Sequence, residues 1–253
     1  MVYDIQKAGF WKRLSAWMLD AILLLFLAVG VSLILSPALK FDSYYDTMES
    51  ISQRYEEEAG VSFDVTAEEY AAMTEAEQAE LEAAYGKFAA DKEAVHAYNM
   101  LTSLSVVIVS ISALVACLVL EFAVPMALKN GQTVGKKIFG LGVMRAHGVK
   151  VDGVCMFIRT VLGKYTIEIM VPVMLMTMVF WGILGIVGPI VVVLMLLLQV
   201  ILMFATRTNS TIHDLLAHTV AIDLQSQMIF DTEEDLIAYK KRIHEDMVNR
   251  SSY

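Results

Sequence analysis

Four long apolar blocks dominate the pattern of hydrophobic and polar positions along the chain. They lie near residues 14–39, 100–128, 167–186 and 189–206. A helix that crosses the hydrocarbon core of a bilayer needs about 20 predominantly apolar residues. The pattern therefore predicts an all-α membrane protein with about four transmembrane helices.

The division between the third and fourth blocks depends on the segment GILGIVGPI, residues 182–190, where three glycines and a proline cluster. Such clusters interrupt helices. The segment predicts two spans joined by a tight turn. The alternative is one span followed by a helix at the membrane interface.

Composition agrees with a membrane protein, since 57% of the residues are hydrophobic. The formal net charge of −9 is unevenly distributed. Residues 41–99 carry fifteen acidic and three basic side chains, whereas residues 129–165 carry seven basic side chains and one acidic. Basic loops remain on the cytoplasmic side. We therefore expect the 129–165 loop and both termini in the cytoplasm and the 41–99 insert outside, with residues 223–253 forming a cytosolic tail helix. The acidic balance argues against nucleic acid as a partner.

The acidic insert contains two helix-start signals. TAEE at residues 66–69 and TEAE at residues 74–77 both have the spacing of a capping box. They predict a short helix near 66–72 and a longer one from about 75 that continues into the second apolar block. We expect an external helical hairpin whose acids form a solvated face. Cation binding by the acid cluster is the less favoured alternative.

The basic loop predicts a small amphipathic and hairpin segment. Residues 143–151 suggest a hairpin that turns at His147 and Gly148, and residues 153–164 suggest an amphipathic helix on the membrane surface. Arg159 and Lys164 would lie on the polar side of that helix.

GQTVGKKI, residues 131–138, has some likeness to a phosphate-binding loop. Its glycines are separated by three residues instead of four, and no Ser or Thr follows the lysines. We therefore reject nucleotide binding. The segment predicts a turn that leads into a basic helix facing anionic lipids of the inner leaflet.

Asp20 lies inside the first apolar block, where a charged side chain costs roughly 2.5–3.5 kcal/mol on insertion scales. Arg13 is seven residues away on the same helical face, but about 10 Å distant along the axis, so a direct pair is not expected. Asp20 must find a partner from another segment, a water-filled cavity or a proton. It either binds a cation or proton, or pins helices together. Glu121 lies at a matching depth in the second block and would either share that site or meet Arg13.

TIHDLLAHTVAI, residues 211–222, is the other unusual stretch. His213 and His218 are five residues apart, whereas a helical metal pair prefers four, so the metal signal is weak. Asp214 lies near the start of a predicted short helix. It could accept hydrogen bonds from Arg13 or Arg207.

The chain offers no nucleophile–base pair and no cluster of metal ligands in its sequence pattern. Cys117 lies in an apolar block and Cys155 follows the basic segment, so both are interpreted as free thiols. We therefore expect no enzyme activity and no cofactor.

Four motifs together resemble the RDD family of bacterial membrane proteins, which is named for one arginine and two aspartates. Arg13 and Asp20 in WKRLSAWMLD match the first two residues, and Asp214 in TIHDLLAHTVAI matches the third. GQTVGKKIFGLGV and HGVKVDGVCMFIRTVL are similar to the family's loop and its continuation. The resemblance covers residues 10–222, interrupted by the 41–99 insert.

Two positions depart from the family pattern. Val134 replaces the usual proline, and His218 replaces the usual glycine. The resemblance implies a multi-pass protein of the bacterial plasma membrane. It implies either a transporter, since sodium/proton antiport has been proposed for some members, or an accessory subunit.

Two functional hypotheses follow. In the first, which we favour, the protein is a carrier that exchanges a monovalent cation for a proton. Asp20 is the exchanging carboxylate, Arg13 and Asp214 its gate or partner pair, and Glu121 a second acid. His213 and Arg159 are secondary candidates. In the alternative, the charged residues lock the helices of a non-transporting scaffold or subunit that binds membrane-complex partners or a second copy of itself.

Overall fold

The computed structural model describes residues 7–128, 130–180 and 182–251, in which helices predominate. The helices are α1 Phe10–Ala38, α2 Phe41–Ala59, α3 Ala67–Ala72, α4 Glu75–Ala90, α5 Lys92–Ala127, α6 Val134–Ile138, α7 Gly153–Phe180, α8 Val187–Ala205, α9 Ile212–Leu216 and α10 Glu233–Ser251. The strands are β1 Leu141–Arg145 and β2 Thr219–Asp223. Residue contacts divide the chain into two compact units. We call residues up to Ala28 and from Ser112 onward the core unit, and Val29–Ile111 the insert unit.

Four helices in the described part of the chain are long and apolar enough to cross a membrane: α1, α5, α7 and α8. This confirms the predicted all-α membrane fold class. The turn between α7 and α8 contains Gly182 and Gly185, whose φ angles of 70° and 49° favour glycine. A Cβ atom on Gly188 would lie 2.1 Å from Val179 Cγ2, so this glycine lets α8 approach α7 closely.

The third apolar helix begins earlier than its hydrophobic pattern predicts. The helix predicted over residues 153–164 forms, but it continues without a break into the apolar block as α7. Arg159 and Lys164 are buried, at 2% and 9% exposure, and do not lie on a solvated membrane-surface face. The surface position predicted for this segment is therefore corrected. Its charged side chains face other charged residues of the protein instead of water.

The core unit contains a two-stranded antiparallel sheet that the sequence pattern did not predict. β1 pairs with β2, with Leu141 opposite Asp223 and Arg145 opposite Thr219. The predicted hairpin over residues 143–151 forms as a turn, in which Arg145 N–H donates to the Val149 carbonyl at 2.8 Å. The main partner of β1 is therefore distant in sequence. Side chains of both strands pack in a small apolar cluster of Met144, Val220 and Ile222.

Both residues that depart from the family pattern lie at positions where the usual residue has a physical advantage. Val134 is the first residue of α6, where proline is well tolerated because its missing N–H has no helical partner. His218 has a φ of 50°, in the left-handed region that glycine adopts most easily. The backbone keeps both conformations without the usual residues.

The insert unit starts its helices as predicted. Thr66 caps α3 and Thr74 caps α4, and each exchanges hydrogen bonds with a glutamate three residues later. The helix from residue 75 does not run into the second span, because α4 ends at Ala90 and Asp91 interrupts it. Asp91 then starts α5 by accepting from Glu93 N–H and Ala94 N–H. Ile51, Phe88 and Ala94 form the buried centre of this unit.

Candidate functional site

A cavity of about 500 Å³ lies within the core unit. Side chains from α1, α5, α6, α7, α8 and α9 line it. Its charged lining residues are Arg13, Asp20, Glu121, Lys136, Arg159, Lys164 and Glu168. Its wall on α8 is mainly apolar. The sequence-predicted residues Arg13, Asp20, Glu121, Arg159 and His213 therefore all reach one cavity.

Asp20 finds its partners in the GQTVGKKI loop. Its carboxylate accepts a hydrogen bond from Thr133 Oγ1 at 2.5 Å and another from Gly135 N–H at 2.7 Å. Lys136 Nζ lies 4.0 Å from the same carboxylate. Both hydrogen-bond donors are neutral, and Lys136 Nζ donates to Thr133 Oγ1. Asp20 is 6% exposed, and its contacts attach the loop after the second span to the first helix.

Gly135 is what allows this loop to reach α1. A Cβ atom at residue 135 would lie 2.3 Å from the Ala16 carbonyl oxygen and 2.9 Å from the Asp20 carboxyl carbon. No side chain fits in that space. Thr133 begins α6 by accepting from Lys136 N–H while donating to Asp20, so one hydroxyl serves both the loop and the site.

Asp214 is the centre of a second cluster and is fully buried. Arg13 donates to it at 2.8 Å, and Arg159 forms a close ion pair with its other oxygen. The hydroxyl of Thr211 also donates to it, at 2.9 Å. Burial alone would raise the pKa of Asp214, but Arg159, His213 and Arg13 hold it well below its usual range. The cluster joins α1, α7 and α9 through charges that persist over the whole physiological pH range.

Arg13 also donates to the Asn209 carbonyl, which attaches α1 to the segment before α9. Of the two partners proposed for Asp214, the structure places Arg13 against it, together with Arg159. Arg207 is solvent-exposed. The sequence did not reveal that Arg159 belongs to this cluster, because its partner is 55 residues away.

Glu121 pairs with Lys164 at 2.5 Å. It therefore does not meet Arg13, whose ion-pair partner is Asp214, and that alternative is wrong. Glu121 and Asp20 both line the cavity, although each has its own lysine.

Lys136 lies near the two acids Glu121 and Asp20, and also near two cations of α7, Arg159 and Lys164. Burial, followed by the charge of Lys164, lowers the pKa of Lys136 to about 8.

His213 faces α7. Its Nδ1 lies 2.7 Å from Glu168 Oε1. Gly163 permits this approach, because a Cβ atom there would lie 2.5 Å from His213 Cβ. Burial and the charge of Arg159 lower the pKa of His213, so at neutral pH its uncharged ring donates to Glu168. Among the described residues, no group of three His, Cys, Asp or Glu side chains is arranged to hold a metal ion.

Both helices that carry the Glu121–Lys164 pair contain π-helical turns. In α5 they cover Leu118–Ala123, and in α7 they cover Ile158–Met170. Thr160 joins the two by donating to the Glu121 carbonyl at 2.8 Å. π-Helical turns are rare and occur frequently at functional sites, because they shift side chains from their regular helical positions. Here they carry Glu121, Arg159, Lys164 and Glu168.

Sequence reasoning missed the two lysines of the site, Lys136 and Lys164. Lys136 was assigned to a lipid-facing helix, and Lys164 to a solvated surface. Lys137, the neighbour of Lys136, is exposed. One signal was available, because Lys164 and Glu168 are four residues apart and share a helical face at the start of an apolar block.

A model of the RDD family matches residues 7–218 of the chain. No curated protein matches the chain, and no solved structure matches it. The family match therefore covers the helices, the loop and the strand β1 that line the cavity, and it ends one residue before β2.

Proposed function

Because the chain belongs to the RDD family of membrane proteins, we propose that it is a secondary carrier that exchanges a cation for a proton at Asp20. In the exchange, a proton leaves the carboxyl group as the cation binds, so the charge of the cavity does not change. We also propose that the protein lies in the bacterial plasma membrane. Both termini are then cytoplasmic, the 41–99 insert is external, and exposed Lys137 faces anionic lipids.

The observation that carries this proposal is the contrast between Asp20 and two other buried acids of the core unit, Glu121 and Asp214. Glu121 is held by Lys164 at 2.5 Å, and Asp214 by two arginines. Asp20 has neutral donors at close range, and its lysine is 4.0 Å away. A cation competes more easily with a hydroxyl and an amide than with a close guanidinium or ammonium group. Of these three acids, Asp20 is therefore the one whose partners a cation displaces most easily.

The alternative is a non-transporting membrane scaffold or accessory subunit. The cluster of Arg13, Asp214 and Arg159 favours this alternative, since it joins three helices and leaves its carboxylate no room for a further partner. In our proposal this cluster holds the helices in place around the cavity, and Asp20 performs the exchange. The scaffold hypothesis gives both acids the same structural role.

Proteoliposomes that contain a pH-sensitive dye separate the two hypotheses. Sodium, lithium, potassium and an organic ammonium salt are added outside in turn, and proton movement is followed for the wild type, Asp20→Asn and Asp223→Asn. Asp223 is the control, because it pairs with Lys12 and does not line the cavity. We expect cation-driven proton movement in the wild type and the control, and its loss in folded Asp20→Asn. Absence of movement in the wild type would favour the scaffold.

A further inference from the structure

The size of the cavity is informative about what the carrier moves. A volume of about 500 Å³ lies in the range of about 300–1,000 Å³ that sites for organic ligands occupy. A bare monovalent metal ion needs little more room than a water molecule, whose share of liquid volume is about 30 Å³. The cavity is therefore more than ten times larger than such an ion requires.

The part of the lining that α8 contributes is suited to an apolar body. α8 contributes five apolar side chains to the lining: Val192, Met195, Leu196, Val200 and Met203. Such side chains cannot replace the hydration shell of a bare ion. They stabilise apolar surface at about 25 cal/mol per Å² that is removed from water, and methionine adapts to irregular shapes.

The charged lining favours a positive group on that body. Arg13 and Arg159 share Asp214, and Lys164 is paired with Glu121, so each of these cations already has a carboxylate at close range. Asp20 has only neutral donors at close range, and Lys136 Nζ lies 4.0 Å from its carboxylate. Trp17 is three residues before Asp20 on α1, shares its helical face, and also lines the cavity. An indole face next to a carboxylate is a suitable surface for an organic cation.

We propose that the cation which binds at Asp20 is organic, with an ammonium or similar positive group on an apolar body that packs against α8. This inference deepens the proposed function and rests on it. The positive group replaces the proton of Asp20, and the body occupies the space between α1 and α8. A bare alkali ion would fill only a small part of the cavity and would gain nothing from its apolar wall.

Binding of tetraphenylphosphonium to the purified full chain in detergent tests the inference. Tetraphenylborate is the matched probe, because it has the same shape and apolar surface with a negative charge. We expect the wild type to bind the phosphonium and not the borate. Met195→Trp fills the apolar part of the cavity without altering any charge, so we expect it to lose phosphonium binding. Leu198→Trp is the control on the same helix, since Leu198 is 45% exposed and does not line the cavity.

The outcomes are distinguishable from those of the proposed function. Phosphonium binding that Met195→Trp abolishes and Leu198→Trp retains supports the inference, as does phosphonium-driven proton movement in proteoliposomes. Proton movement with alkali ions but no phosphonium binding would overturn the inference and leave the exchange at Asp20 standing. Binding of both probes, or loss of binding in both tryptophan variants, would overturn it in favour of non-specific apolar adsorption. Absence of any cation effect would overturn both proposals.

Discussion

Carboxylates perform different tasks in the two units of the molecule. In the insert unit, Glu69 and Glu77 are exposed, and each bonds to a threonine three residues earlier. In the core unit, Asp20 and Asp214 are buried, and their partners are as far as 115 and 201 residues away. The same chemical group starts a helix in one unit and joins distant segments in the other.

The difference shows how the surroundings determine what a carboxylate contributes. An exposed ion pair or cap competes with water and contributes at most about 1 kcal/mol in most measured cases. A buried charge that loses its partner typically costs about 3–5 kcal/mol, because the charge that remains is left without solvent. Substitutions in the core unit should therefore have much larger effects than equivalent substitutions in the insert unit.

The largest effect is expected from Asp214→Asn. This change leaves Arg13 and Arg159 buried without their counter-charge, so we expect a loss of about 3–5 kcal/mol of stability. The measurement is unfolding of the full chain in detergent micelles. The control in the insert unit is Asp91→Asn, which disturbs the exposed Arg54 pair and should leave the unfolding midpoint nearly unchanged. Equal losses in both variants would contradict the comparison.

Gly135→Ala should have the next largest effect. Its added methyl group would lie 2.3 Å from the Ala16 carbonyl, so the loop must move away from α1, at a cost of about 1–3 kcal/mol. Gly86→Ala is the matched control in α4, where a Cβ atom meets nothing within 4 Å. Alanine is the better helix former there by up to about 1 kcal/mol. The same unfolding measurement should show a loss of stability for Gly135→Ala and a gain for Gly86→Ala. Two losses of similar size would refute this explanation.

The smallest effect concerns acid pH. Bonds from the backbone and hydroxyl of Thr74 lower the pKa of Glu77 below its usual value of 4.5, and the arginines hold that of Asp214 much lower. Both groups stabilise the fold when ionised, so each contribution is present above the unfolded pKa and is lost as pH falls through the folded pKa. The start of α4 should therefore weaken before the Asp214 cluster does.

Amide chemical shifts of Glu77 and Asp214 in the full chain, followed from pH 7 downward in micelles, test this order. Glu77→Gln is the control, since it should remove the shift change at the start of α4. A chemical-shift change at Asp214 that begins at a higher pH than the change at Glu77 would contradict this order, because it would show that the buried cluster is the more sensitive to acid.

Local contacts account for most of what could be predicted. The caps at Thr66 and Thr74 depend on residues three positions apart, and the turn near Gly182 depends on neighbouring glycines. Long-range contacts account for most of what could not. β2 was missed because its short apolar run forms a strand only by pairing with β1, which is distant in sequence. The solvated face predicted for Arg159 and Lys164 was wrong because periodicity identifies a polar face but not its partner.

The sequence alone shows that the chain is a membrane protein of about four spans, because the length and apolarity of each block decide whether lipid or water surrounds it. It also determined that Asp20 needs a partner, since a carboxylate in such a block is costly. The folded structure was needed to show that this partner is the Thr133–Gly135 loop, that Glu121 pairs with Lys164, and that Asp214 pairs with two arginines. Solvent preference is a property of each segment, whereas the neutralisation of a buried charge depends on segments that meet only in the folded chain.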